Sequence, residues 1–289
     1  MQKVTIQVEH IVRQREYNYR RTPERCIRTP AAARAFVEEV GFCHFWPVKG
    51  VELPNLFHAI AGQVRPVPME HEDAALSLCW GWKDDSLDKR WWYYGKLLRR
   101  RATLVALSEL PYFYALSENY GELDDYLQEY AEGRMTAEAK AVYEALLEHG
   151  PLDTISLRRK AHMSAETAKS RFEKALTDLQ VGLKVLPVGV AEAGAWHYAF
   201  VYELLLRWFP EVAEQARSIR QRDARRHLLL RYLRTVIAVS ATQAASLFGW
   251  TDDEVDEAVR ALEKEQLILS DVTIRGLQGP QLVIASAMS

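Results

Sequence analysis

The sequence predicts a mainly α protein with small β wings, an α+β fold arranged as tandem winged-helix domains. Two observations lead there. Residues 152–186 read as two helices joined by a short turn and followed by a β-branched-rich segment. The last seventy or so residues then repeat that order of elements without repeating its sequence.

Residues 1–134 form the first domain, rich in Arg and Trp and winged-helix-like. Residues 4–8 alternate as a short strand, and an Arg/Tyr-rich run over 13–28 follows. Pro30 opens a helix that Gly41 ends. A second helix near 53–60 follows the breaks at Pro47, Gly50 and Pro54. Residues 63–72 form a loop around Pro66 and Pro68, 76–120 is aromatic-rich, and 121–134 is an acidic helix with a turn at Gly133.

Residues 135–212 form the second domain, with helices over 137–149, 153–161 and 164–180. Ser164 is the expected N-cap of the last one. Residues 181–186 are expected to pair with 196–201 across Gly189 to Gly194, and a short helix over 202–209 stops at Pro210. Residues 213–289 form the third, with a basic helix over 223–236 and a short helix over 241–248 that Gly249 breaks. A third helix, capped by Thr251, reaches Gln266, and strands follow at 267–269 and 281–284.

The net charge of −2 would argue against a polyanionic partner if it were evenly spread. It is segregated instead. Residues 158–184 hold seven Lys/Arg against three acids, and 217–234 hold seven against one, while 109–148 hold ten acids against two cations. A fold can gather these runs into a basic face and an acidic back. Cys26, Cys43 and Cys79 form no metal-binding spacing, so no metal and no cofactor are expected. No apolar run approaches the roughly 18 residues of a membrane span, which excludes a membrane partner and predicts a cytoplasmic, nucleoid-associated protein.

The strongest functional signal is the second helix of the middle domain. Its apolar face is Ala168, Phe172, Ala175, Leu176 and Leu179, and its other face carries Thr167, Lys169, Ser170, Arg171 and Lys174. Arg158, Arg159 and Lys184 flank it. Such a face suits a DNA groove or backbone, and a helical hairpin that only packs a core is the plainer alternative. The run from Lys89 to Arg101 is the next signal, because cations hold phosphates while flat rings stack on bases. Arg90, Trp91, Trp92 and Lys96 are its candidate contacts, although Trp92, Tyr93 and Leu97 at helical spacing also suit a core. Arg225 and Arg226 are candidate phosphate contacts on the third domain's first helix. The helix over 251–265 is acidic at its start, would repel phosphate, and suits a protein partner. For acid–base chemistry the candidates are His44, Glu52 and Asp84.

Three passages together resemble the AlkZ/YcaQ family of winged-helix DNA glycosylases. They are Val40-Gly41-Phe42-Cys43-His44-Phe45-Trp46-Pro47-Val48, the Trp/Arg-rich stretch 80–101, and the unit 157–186. The resemblance implies tandem winged helices and double-stranded DNA, damaged by alkylation or crosslinking, as partner. It also implies removal of the damaged base by N-glycosidic hydrolysis. Where the family carries a Gln-x-Gln or Gln-x-Asp motif that positions the attacking water, this chain has His44-Phe45-Trp46. A non-catalytic winged-helix regulator or architectural DNA binder stays open beside the glycosylase reading. So does a scaffold that docks a partner through 251–265.

Overall fold

A computed structural model describes residues 7–69, 72–194 and 197–288. Of the strand expected over 4–8, residues 4–6 lie outside the described residues, and Val8 instead opens helix α1 (Val8–Asn18). Beyond it, one order of elements occurs three times: helix, strand, helix, helix, strand, strand. Each set forms a three-stranded antiparallel sheet with its third strand in the middle. The fold is α+β with small sheets, as the sequence predicts.

The first unit comprises α2 (Pro30–Val40), β1 (Phe42–His44), α3 (Leu56–Ala61), α4 (Ala74–Leu87), β2 (Tyr93–Lys96) and β3 (Ala102–Val105). Its helices start where side-chain oxygens meet free N–H groups: Thr29 caps α2, Asn55 caps α3 and Asp73 caps α4. Residues 93–96 are a strand rather than a helix, because Tyr93 and Tyr94 face opposite cores of a sheet inserted between units. Short helices α5 (Leu110–Ala115) and α6 (Asp125–Ala131) lead to the second unit.

That unit comprises α7 (Ala137–His149), β4 (Leu152–Asp153), α8 (Thr154–Lys160), α9 (Lys169–Val181), β5 (Val185–Ala191) and β6 (Ala199–Leu204). The turn before α9 departs from expectation. Ser164 does not cap it; a single 3-10 turn, Glu166–Ala168, precedes α9, which begins at Lys169 without a side-chain cap. The Arg158 guanidinium orders this turn by donating to the carbonyls of Met163 (3.3 Å) and Ala165 (3.1 Å). Residues 181–184 are not strand either. The helix runs through Val181, Leu183 takes a left-handed φ of 52°, and only then does the edge strand begin. Of the expected partner segment, Trp196 lies outside the described residues, and pairing runs from Ala199.

Helices α10 (Leu205–Trp208) and α11 (Glu211–Arg217) connect to the third unit: α12 (Gln221–Val236), β7 (Ala238–Val239), α13 (Ala241–Phe248), α14 (Asp252–Lys264), β8 (Ile268–Val272) and β9 (Gln281–Ile284). Ser240 with Gln243 and Thr251 with Glu254 form reciprocal capping boxes, so both helix starts are legible in sequence. The units are not separate beads. One apolar core runs from Ile11 through Phe42, Tyr93 and Phe113 to Leu229, Leu262 and Ile284, joining the first and third units.

A cationic hairpin at the junction of the three units

The turn between β2 and β3 carries Lys96, Arg99, Arg100 and Arg101 and touches all three units. Leu98, buried, anchors it, and its N–H donates to the Thr103 hydroxyl at 3.2 Å, which donates to the Arg101 carbonyl at 2.8 Å. Gly95 is required below the turn, since a Cβ there would collide with the Tyr93 hydroxyl. Arg99 and Arg100 hold left-handed φ values of 54° and 57°. Such backbone costs about 1–2 kcal/mol per non-glycine residue and persists only where surroundings enforce it. Here they do. Lys96 Nζ donates to Thr177 of α9 at 3.2 Å, Arg100 pairs with Asp178 of α9, and Arg99 donates to the Ser246 carbonyl of α13 at 3.0 Å.

Beside this turn lies a cavity of about 470 Å³ lined by Trp46, Lys49, Lys96, Arg100 and Arg101, with no acid among its lining residues. Trp46 is held edge-on by Phe45 and Trp80. Thus the loop after β1 and the turn of β2–β3 together place four cations and one aromatic ring on the lining of one cavity.

His44 does not line this cavity. It is 1 % exposed, and neither ring nitrogen has a hydrogen-bond partner. Burial lowers its pKa to about 4. The Ala102 carbonyl opposes this without reaching hydrogen-bond geometry, and the charges of Arg101 and Arg99 push the same way as burial. The ring is therefore neutral at pH 7.

The other two acid–base candidates are elsewhere. Glu52 accepts from Arg15 (2.9 Å) and Tyr19 (2.8 Å), which ties α1 to the loop before α3. Asp84 pairs with Lys83 (2.6 Å) and accepts from Tyr198 (2.9 Å). The structure does not bring His44, Glu52 and Asp84 into one cavity. Sequence reasoning passed over Lys83, which is fully buried among Trp80, Phe200 and Tyr198 and donates to the Tyr198 hydroxyl at 2.6 Å. Burial lowers its pKa, with Asp84 opposing. Its signal was only the Trp-x-x-Lys spacing of Trp80 and Lys83 on a helix face.

The candidates on and before α9 lie at the surface. Thr167, Lys169, Ser170, Arg171 and Lys174 are all exposed; Lys169 is loosely paired with Glu166 (3.8 Å) and Arg171 with Glu138 (3.2 Å). Lys174 is one turn from Thr177, where Lys96 docks, so this face adjoins the hairpin. Arg159 is exposed, whereas Arg158 is spent on the turn described above.

Several candidates are withdrawn from that surface by burial or pairing. Trp92 is 3 % exposed inside the first unit's core. Trp91 is half-buried against it; Arg90 stays exposed but lies over Trp208 at 4.4 Å. Lys184 is sequestered with Glu129 at 2.8 Å. Arg225 pairs with Glu254, and Arg226 with Glu265 at 2.8 Å. Helix α12 is largely buried through its apolar residues, and Arg225, Arg226 and Arg231 pair with Glu254 of α14 and with Glu265 and Glu109 at the ends of α14 and α5. Helix α14 exposes Asp252, Asp253, Asp256 and Glu257, a face that repels phosphate. Among the described residues, no group of three or more His, Cys, Asp or Glu converges as a metal site, and no helix is long and apolar enough to cross a membrane.

Three tandem α+β units with a cationic hairpin at their junction define the class of protein. The chain belongs to the AlkZ-related family, whose family model matches residues 27–249. Among solved structures it is similar to the Streptomyces sahachiroi DNA glycosylase AlkZ, at 13 % identity and a TM-score of 0.61. That likeness covers 98 % of this chain and 71 % of the Streptomyces chain, and it shows a shared fold. Among curated proteins none matches the sequence.

Proposed function

We propose that this chain is a double-stranded DNA-binding protein of the glycosylase-like kind, built of three winged helices. In this reading α9 faces the duplex, and the β2–β3 and β5–β6 hairpins are wings. One observation carries it: Lys49, Lys96, Arg100 and Arg101 converge on the cavity at Trp46 with no acid among them. Arg100 is paired with Asp178, but Lys49, Lys96 and Arg101 have no carboxylate partner among the described residues, and such cations beside a flat ring suit a phosphate backbone with a base next to it. A protein that grips duplex DNA in this way belongs with the nucleoid, in the cytoplasm.

The reading extends to damaged DNA and to excision of an alkylated or bulky base. Hydrolysis would add water oxygen to the sugar C1′ while the bond to the base nitrogen breaks. In this reading His44 is the candidate to hold that water, because its ring nitrogens are neutral and unpaired; the ring is buried and lines no wall of the cavity, so it would have to be uncovered to act. The same residue favours a second reading, a DNA binder without catalysis. A base with a pKa of about 4 takes up a proton poorly at pH 7, and residues 44–46 offer neither glutamine nor carboxylate.

One experiment tests both layers. Fluorescence anisotropy on a fully paired duplex compares the native chain with Lys96→Ala/Arg101→Ala, while base release is followed on a panel of alkylated duplexes. Two lost phosphate contacts should lower affinity about tenfold and reduce the slope of log K against log salt by about 2. An unchanged slope removes the cavity from the interface. Binding without base release, with His44→Ala no different, assigns the non-catalytic reading.

A further inference from the structure

A second cavity, of about 500 Å³, opens where the hairpin meets α5, α9 and α13. Its wall is the end of an aromatic stack. Phe248 lies among Phe42, Phe113 and Tyr232, and Trp250 stacks on Phe248 at 4.2 Å with planes 12° apart. Trp250 is half-buried, is the outermost ring of that stack, and lines the cavity. Arg99, Arg100 and Arg225 share the lining with a single acid, Glu254, which is already engaged by Arg225 and by the Thr251 N–H. Arg99 has only the Ser246 carbonyl and hydroxyl as partners and no carboxylate, although its backbone is held left-handed to place it there.

We propose that this cavity receives one nucleotide, its base stacked on Trp250 and its phosphate held by Arg99. A planar ring beside a guanidinium without a carboxylate partner matches a base and its phosphate, and it is tolerant of base identity because every base has a π-face. The inference rests on the DNA-binding reading for one source of the ligand. Arg100 lines both this cavity and the one at Trp46, so a strand gripped at the first lies within reach of the second. The ligand is then an unpaired nucleotide within a duplex. A free mononucleotide offers the same chemistry.

The test has three arms: a fully paired duplex, the same duplex with one unpaired adenine, and dAMP alone by equilibrium dialysis. For the native chain the unpaired adenine should tighten binding about tenfold. Trp250→Ala should abolish that gain and leave paired-duplex affinity unchanged, while Trp250→Phe retains most of it. Arg99→Gln, which leaves the aromatic stack intact, should weaken the gain as well, so misfolding of Trp250→Ala would not decide the matter. Binding of dAMP that depends on Trp250, without a preference for the unpaired duplex, assigns the cavity to a free nucleotide. No preference and no dAMP binding overturns the proposal. Failure of the native chain to bind either duplex removes the DNA-binding reading, and the dAMP arm then judges the cavity by itself.

Discussion

His44 illustrates how one side chain can tie stability to pH. Its folded pKa of about 4 lies below the ordinary 6.5, so the unfolded chain binds the proton more tightly. The stability this neutral histidine contributes is full above pH 6.5, falls as pH drops between 6.5 and 4, and levels off below. The interval corresponds to about 3 kcal/mol. Urea titrations at pH 7 and pH 4 should show a loss of that order beyond the loss seen in His44→Leu. Parallel profiles for the two proteins would mean that the ring is hydrated rather than desolvated.

At the scale of elements, α9 and α12 make an instructive pair. Both are rich in cations, yet α9 packs only its apolar face, Phe172, Ala175, Leu176 and Leu179, and leaves Lys169, Arg171 and Lys174 outside. Helix α12 buries residues around its girth, including Leu228, Leu229, Tyr232 and Leu233; Arg225, Arg226 and Arg231 lie against glutamates, while Arg222 and Arg234 stay exposed. Lys169→Ala with Arg171→Ala should therefore weaken duplex binding and flatten its salt dependence. The Arg171–Glu138 pair is exposed, so thermal stability should fall by less than about 1 kcal/mol. The corresponding change on α12, Arg225→Ala, should cost stability and leave the salt slope alone. Equal salt slopes for the native chain and the α9 variant would mean that α9 faces away from the duplex.

The whole molecule is joined more tightly than three repeated units suggest. The core from Ile11 to Ile284 crosses the first and third units, and a polar clasp reinforces it. Glu109, buried at the start of α5, receives His227 at 2.7 Å and Arg231 at 3.2 Å, while His227 stacks on Tyr112 at 3.6 Å. Arg231 is partly exposed and Glu109 keeps His227 when it is removed, so the loss is that of one charged contact, about 1 kcal/mol. Arg231→Met should lower stability by that order. In the native chain the first and third units should melt in a single calorimetric transition. Two well-separated transitions in the native protein would show that the shared core does not couple them.

Helix starts such as Pro30 and Thr251 were readable along the chain, because caps and the 3.6-residue apolar period act within a few residues, whereas Ser164 met the same rule but the 3-10 turn over 166–168 comes between it and α9. The outward basic face of α9 was readable for the same reason: a single helix already separates Phe172 from Arg171. Other features were not. Trp92 and Arg90 looked like Trp91 and Arg101 in a list of residues, and only packing put Trp92 in a core and left Arg101 beside an open cavity. Lys49 joined the candidate site from a stretch that carried no signal of its own. Local chemistry thus determined most of the helices and one outward basic face. Which cations stay exposed and which are buried against acids was decided by the tertiary structure, because the acids that meet Lys184, Arg225 and Arg226 come from distant parts of the chain.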